Sequence, residues 1–314
     1  MSKIFNKKDF FVLIVGILAV IIGFVYIQFG VGDGHEIGSG NSQQPIIFVS
    51  DQNKTSSAAQ HLVTTTSRSG GSVAMHVDVY NDGTIKYLAN KNVKRAKQPI
   101  IEVSFSDRTN TTKQQAAKLQ EVFSHLNHKY GYTTYDAIGF GSGALAVYYN
   151  AINYGVKKNK MTMSHFISIA GPYKGVMPDN HNNNDRRPGQ PADRPQGQQP
   201  NTQNGAPVHQ PGQMQHQAMT NQQLTNSRFP SFSDYQKKAS NLDENTKVLN
   251  IYGVLNANDK SDGRVTEQSA TAIKSLVKSG NYQSLRLSGP FALHSNILDN
   301  QIAERLVNRF LFND

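Results

Sequence analysis

Tyr135-Asp136-Ala137-Ile138-Gly139-Phe140-Gly141-Ser142-Gly143-Ala144-Leu145 carries an apolar run into a glycine-rich turn, and a helix-forming run from Ala144 to Asn153 follows at once. A strand, a sharp turn and a helix in direct succession make a nucleophile elbow, which lifts one side chain above the end of a sheet. Small residues flank the elbow because strand and helix backbones pack closely there. Aligning Gly139 and Gly143 with the glycines of Gly-x-Ser-x-Gly puts Gly141 at the nucleophile position. Glycine has no side chain with which to attack. Ser142 lies one residue later, where the backbone N–H ordinarily serves the oxyanion. Taking Ser142 as the nucleophile would place Phe140 where a small residue is required.

Outward from the elbow, strands and helices alternate. Upstream, Pro45 opens the apolar run Ile46–Val49, which suits a buried strand. Val73 to Tyr80 alternates, with Val73, Met75, Val77 and Val79 expected on one face. Asn81-Asp82-Gly83 reads as a turn, and Thr84–Leu88 as the returning strand. Ile100–Phe105 is the next strand. Thr112–Tyr130 is a helix, with Thr112 and Gln115 as a capping box, Leu119, Val122, Phe123 and Leu126 on one face, and Gly131 at its end. Downstream come strands at Phe166–Ala170, Val248–Tyr252 and Ser284–Leu287, with helices at Glu267–Val277 and Gln301–Phe312. The alternation predicts an α/β fold, a mostly parallel central sheet flanked by helices on both faces.

Two stretches stand apart. Residues 10–27 contain no charged or strongly polar side chain, follow Lys3, Lys7 and Lys8, and precede Asp33 and Glu36. This predicts one N-terminal transmembrane helix over residues 10–31, with residues 1–9 cytoplasmic and the remainder extracellular. No Ala-x-Ala-like cleavage site follows it. Residues 32–44 read as a Gly-, Ser- and Gln-rich linker to a domain at 45–314. Within that domain, residues 178–228 hold 11 Gln, 8 Asn and 7 Pro and almost no large apolar side chains, which predicts a disordered insert.

The 314-residue chain has no Cys, which excludes disulfides, thiolate metal sites and a cysteine nucleophile. The net charge of +10 would favour anionic partners, although a solvated basic surface is the preferred reading, and no basic run interleaved with aromatics suggests a nucleic-acid groove. His125 and His128 share a helix at i, i+3, and without an acidic partner they complete no known metal spacing. No cofactor motif is present, so neither metal nor cofactor is expected.

In chain order, an elbow nucleophile is followed by an acid and then a histidine. Ser261-Asp262-Gly263-Arg264-Val265 follows the strand Val248–Tyr252, and Leu293-His294-Ser295 follows Ser284–Leu287. Asp262 and His294 are thus the candidate acid and base. Asp259 is a second candidate acid, and Asp262 could instead cap a turn. The set of motifs resembles a family of cell-surface α/β hydrolases of Gram-positive bacteria, known only as a domain of unknown function. The resemblance runs from about Pro45 to the C-terminus. It rests on the Asn81-Asp82-Gly83 hairpin, Lys97-Gln98-Pro99-Ile100-Ile101-Glu102-Val103, Ala170-Gly171-Pro172-Tyr173-Lys174-Gly175, Ser261–Val265 and His294-Ser295. It implies an α/β-hydrolase fold with a lid near the 178–228 stretch. The family's elbow reads Gly-His-Ser-Met-Gly-Gly, against Gly139-Phe140-Gly141-Ser142-Gly143-Ala144 in this chain. Its first strand runs into His-Gly, which shapes the oxyanion loop, where this chain has Ser50-Asp51. An acidic Asp51 beside a developing oxyanion would oppose catalysis. The expectation is a membrane-anchored surface protein, degenerate as a hydrolase, with a binding or scaffolding role through the old substrate cleft or the polar insert, its partner an anionic cell-wall polymer, a lipid or a protein. The rival is an active serine esterase or lipase-like enzyme using Ser142, His294 and Asp262.

Overall fold

The computed structural model describes residues 43–50, 57–106, 111–155, 161–177 and 228–312. The expected span at residues 10–31, Asp51 and the 178–227 portion of the Gln-, Asn- and Pro-rich stretch lie outside the described residues. Among the described residues, no helix is long and apolar enough to cross a membrane.

Eight strands form one sheet: β1 (Ile46–Val49), β2 (Ser72–Val79), β3 (Ile85–Ala89), β4 (Pro99–Phe105), β5 (Thr134–Phe140), β6 (Thr162–Ile169), β7 (Lys247–Val254) and β8 (Tyr282–Ser288). Their order is β3-β2-β4-β1-β5-β6-β7-β8. Every pairing is parallel except β2 with β3, which the Asn81-Asp82-Gly83 hairpin makes antiparallel. The central strands are apolar on both faces, as a doubly covered parallel sheet requires. In β1, Ile47 and Val49 enter one core while Ile46 and Phe48 enter the other.

The first core is closed by helices α3 (Thr112–Tyr130) and α4 (Ser142–Asn153). Leu119, Val122, Phe123 and Leu126 of α3 are fully buried there. Each such side chain contributes about 1.5–3 kcal/mol by leaving water. The second core is closed by α1 (Ser57–Ser69) and α7 (Gln301–Phe312), which pack on each other and on the sheet. Its helix side chains include Leu62, Val63, Val307 and Phe310. Short helices α2 (Asn92–Arg95), α5 (Phe232–Gln236) and α6 (Glu267–Ala270) complete the described set.

The structure departs from the expectations at four places. Val73 does not share a face with Met75, Val77 and Val79. A bulge opposite Ile100 and Ile101 turns Val73 to the second core, while the other three enter the first. The capping box lies one residue earlier than expected, on Thr111 and Gln114: Gln114 N donates to Thr111 Oγ1 at 3.2 Å, and Thr111 N donates to Gln114 Oε1 at 2.8 Å. The helix expected over Glu267–Val277 is one α turn followed by a 3-10 segment, Thr271–Leu276. Helix α1 had no expected counterpart. Its run of Thr residues at 64–66 weakens the helical signal, and burial of Ala59, Leu62, Val63 and Thr66 holds it in place.

Candidate active site

The site lies where the parallel strands end. At the tip of β5 the chain passes through Gly141 at φ 56° and ψ −125°, and α4 begins at Ser142. That backbone geometry is the strained turn of an elbow apex, and a glycine adopts it at little cost. Gly141 therefore stands at the apex, and Ser142 is the first helical residue beyond it. Gly141 N donates to Ile169 O at 2.9 Å, and Ala144 N donates to Gly141 O at 3.1 Å, which fixes the turn between β6 and the helix.

The flanking glycines are set by close approach. A Cβ on Gly139 would stand 2.4 Å from Ala144 Cα, and one on Gly143 would stand 2.3 Å from Val49 O and 3.1 Å from Ser50 C. The end of β1 thus presses on the first turn of α4. Ser50 is buried at this point, beside the elbow, in the place where the family resemblance implies an oxyanion loop. Its neighbour Asp51 lies outside the described residues. The end of β6 is also constrained: Ala170 has φ 51°, a left-handed backbone on a residue with a Cβ, and its N–H donates to Ile251 O at 2.8 Å.

The loop after β7 supplies Asp262, and the loop after β8 supplies His294. The structure brings the two together: His294 Nδ1 lies 2.8 Å from Asp262 Oδ2. The backbone joins the same loops, with His294 N donating to Asp262 O at 2.8 Å. Asp262 Oδ1 accepts from Arg264 N at 2.9 Å and from Val265 N at 2.6 Å. The two uses foreseen for Asp262, capping a turn and holding a histidine, coexist on its two oxygens. The side chain of Asp262 is 2% exposed and that of His294 is 12% exposed. A carboxylate this buried requires such partners. With Nδ1 donating to the carboxylate, neutral His294 carries its basic lone pair on Nε2. Phe140, the last residue of β5, packs its ring 4.9 Å from the imidazole, so the histidine stands over the elbow strand.

Asp259 does not share this geometry. It accepts from the Ser261 hydroxyl, and its N–H donates to Asn256 Oδ1 at 2.9 Å, so it shapes its own loop. A cleft of about 530 Å³ opens on the outer side of that loop, between Met177, Lys260 and Glu267. His125, one of the two helix histidines at i, i+3, lies elsewhere. His125 stacks on Tyr87 at 4.0 Å between ring centroids. Among the described residues no group of three or more His, Asp or Glu side chains could hold a metal ion.

Sequence reasoning did not foresee two features of the site. One is Phe140 as the wall behind the histidine, although its place between Gly139 and Gly141 marks it. The other is the strained Ala170, which no compositional signal marks.

The architecture is shared with solved structures. The lin2722 product of Listeria innocua superposes with a TM-score of 0.65 at 20% identity, covering 87% of this chain and 95% of its own. A protein from Lactobacillus plantarum, described as a candidate cell surface hydrolase, superposes with a TM-score of 0.59 at 18% identity, covering 88% and 94%. At these identities the likeness shows the fold. No match is found among functionally curated proteins. A profile of α/β hydrolases of unknown function, DUF915, matches residues 36–204 and 201–314. With strand order, elbow and late Asp–His pair all in keeping with that match, the chain belongs to the DUF915 family of α/β hydrolases of unknown function.

Proposed function

We propose that this chain is a membrane-anchored, cell-surface member of its family that binds a ligand in the old hydrolase cleft and forms no acyl-enzyme. The observation that carries the reading is the glycine at the elbow apex, Gly141 at φ 56° and ψ −125°. The apex is where a covalent nucleophile must stand, and no hydroxyl stands there. Ser142 belongs to the first turn of α4, beyond the turn that aims a nucleophile. The Ser50-Asp51 sequence in place of His-Gly adds a second loss, because an oxyanion needs donors and not a carboxylate. Asp262 and His294 are the residues that orient one another as acid and base would. In this reading the pair holds the loops after β7 and β8 together beside the elbow.

Surface location is supported by the apolar run at 10–27 behind Lys3, Lys7 and Lys8, and by the Lactobacillus neighbour described as a candidate cell surface hydrolase. The partners that fit are an anionic cell-wall polymer, a lipid or another surface protein. The rival reading, a serine esterase using Ser142, His294 and Asp262, is favoured by the well-held Asp262–His294 pair. Turnover of p-nitrophenyl esters by wild type and by His294→Ala separates the two. The proposal expects equal rates at the level of buffer alone. Hydrolysis that depends on His294 would overturn it.

A further inference from the structure

In a parallel sheet the strand starts and the C-termini of the preceding helices gather at one pole, away from the elbow. One half of that pole is strongly basic. The antiparallel return of β3 brings Asn90–Gln98 there, between the end of β3 and the start of β4. This stretch carries Lys91, Lys94, Arg95 and Lys97, all exposed, and no acidic residue stands anywhere between Lys86 and Ile101. Arg68 at the end of α1 and Lys129 at the end of α3 are exposed at the same pole. Lys129 is tied to the cluster through aromatic contacts. Its Nζ sits 5.7 Å from the Tyr130 ring, Tyr130 stacks on Tyr132 at 5.7 Å, and the Tyr132 hydroxyl donates to Val93 O at 2.6 Å.

Basic residues in last helical turns are ordinary complements to the helix dipole. That explanation covers Arg68 and Lys129. It does not cover α2, a single turn with little dipole to complement, nor Lys91 and Lys97, which lie outside it. In the acid loop at the opposite pole, Asp259 and Asp262 stand against Lys260 and Arg264. On the β7–β8 side of the same pole Lys238, Lys247 and Lys278 are exposed as well, beside Asp243 and Glu244, and Glu244 pairs with Lys278 at 3.5 Å. The stretch from Lys91 to Lys97 differs in having no carboxylate within it.

The chain also enters the domain at this patch. Gln44 N donates to Lys97 O at 3.1 Å, and the Gln43 amide donates to Ala96 O. The last two residues of the expected linker are thus hydrogen-bonded to the basic stretch itself.

We propose that Lys91, Lys94, Arg95 and Lys97, with Arg68 and Lys129, form a docking surface for the anionic headgroups of the bilayer in which the chain is anchored. Docking there turns the elbow pole away from the lipid, toward ligands in the wall. The proposal rests on the anchoring reading above.

The absence of Cys allows a single introduced thiol to report position. Ala89→Cys, at the basic end of β3, and Ala257→Cys, at the elbow pole, are both exposed sites. Each full-length variant is labelled with a fluorophore and reconstituted into vesicles of phosphatidylcholine alone, or of phosphatidylcholine with phosphatidylglycerol, that carry a headgroup-linked quencher. The expected result is strong quenching at position 89 in the phosphatidylglycerol vesicles only, and none at position 257. It should vanish at about 1 M salt, where the screening length falls to about 3 Å. Removing the four α2-region charges together (Lys91→Gln, Lys94→Gln, Arg95→Gln, Lys97→Gln) should release it, at about fivefold per residue. Flotation with the phosphatidylcholine vesicles tests the anchor separately. Flotation with equal quenching at both positions, or quenching indifferent to lipid charge or to the four substitutions, would overturn the docking surface and leave the anchor standing. Failure to float with phosphatidylglycerol vesicles would overturn both. A response to soluble polyphosphate without a response to vesicles would assign the surface to a polymer and reject the lipid.

Discussion

At the scale of single residues, the site is defined by what Gly141 permits. Restoring a hydroxyl with Gly141→Ser places a Cβ at φ 56°, and stability should fall by about 1–3 kcal/mol in a urea titration. Activity should stay poor in that variant, since one missing oxyanion donor alone costs about a hundred- to a thousandfold. Adding Ser50→His and Asp51→Gly should raise ester turnover well above the single substitution. Equal turnover in the single and triple variants would show that Ser50-Asp51 is not the oxyanion loop. Gly143→Ala is a harsher change than its one methyl group suggests, because the new Cβ meets backbone, Val49 O at 2.3 Å. A loss of about 1–3 kcal/mol is expected, and an unchanged melting curve would contradict the close approach. The two candidate acids separate in the same way. Asp262→Ala strips partners from His294 and from the buried Val265 N–H, and should cost about 2–3 kcal/mol. Asp259→Ala, in an exposed loop, should cost less than about 1 kcal/mol.

At the scale of elements, the strands and the helices α3, α4 and α7 were legible because period and punctuation agreed. In α3 the apolar spacing, the cap and Gly131 all mark the same helix, and the structure has it at Thr112–Tyr130. The cap itself shows the limit of such reading, since Thr111-Thr112 and Gln114-Gln115 offer the same motif in two registers. Only backbone geometry separates them: Thr111 is extended, at φ −71° and ψ 156°, with its hydroxyl on Gln114 N. Thr111→Ala should therefore cost about 1 kcal/mol. Thr112→Val should cost nothing or stabilise, because the Thr112 hydroxyl is buried with no hydrogen-bond partner among the described residues. Reversal of that order in thermal melts would return the cap to Thr112. Helix α1 and the Val73 bulge escaped sequence reading for a shared reason. Both are set by tertiary packing, and local propensity points elsewhere.

At the scale of the whole molecule, one interior property is open to measurement. Burial raises the phenols of Tyr132, Tyr135 and Tyr148 above their ordinary value and those of Tyr173 and Tyr235 well above it, and pushes Tyr87 up to about 12. In the unfolded chain these groups ionise near pH 10. Above that pH the native state holds more protons than the unfolded state, so stability falls as pH rises. A cooperative alkaline unfolding with delayed phenolate absorbance is expected. Gradual ionisation of all 13 tyrosines near pH 10, without unfolding, would contradict the packing.

The fold and the late Asp–His pair were readable from sequence because each rests on chain order and local motif. The meaning of the elbow was not, since a glycine in a glycine-rich run could stand in either of two registers. Only the backbone angles at Gly141 place the apex. The most direct test of the central claim is exposure of the full-length protein to a fluorophosphonate probe, read by intact mass. No adduct is expected on the wild type, and none on Ser142→Ala. A stoichiometric adduct on the wild type that both Ser142→Ala and His294→Ala abolish would show an activated serine and contradict the account.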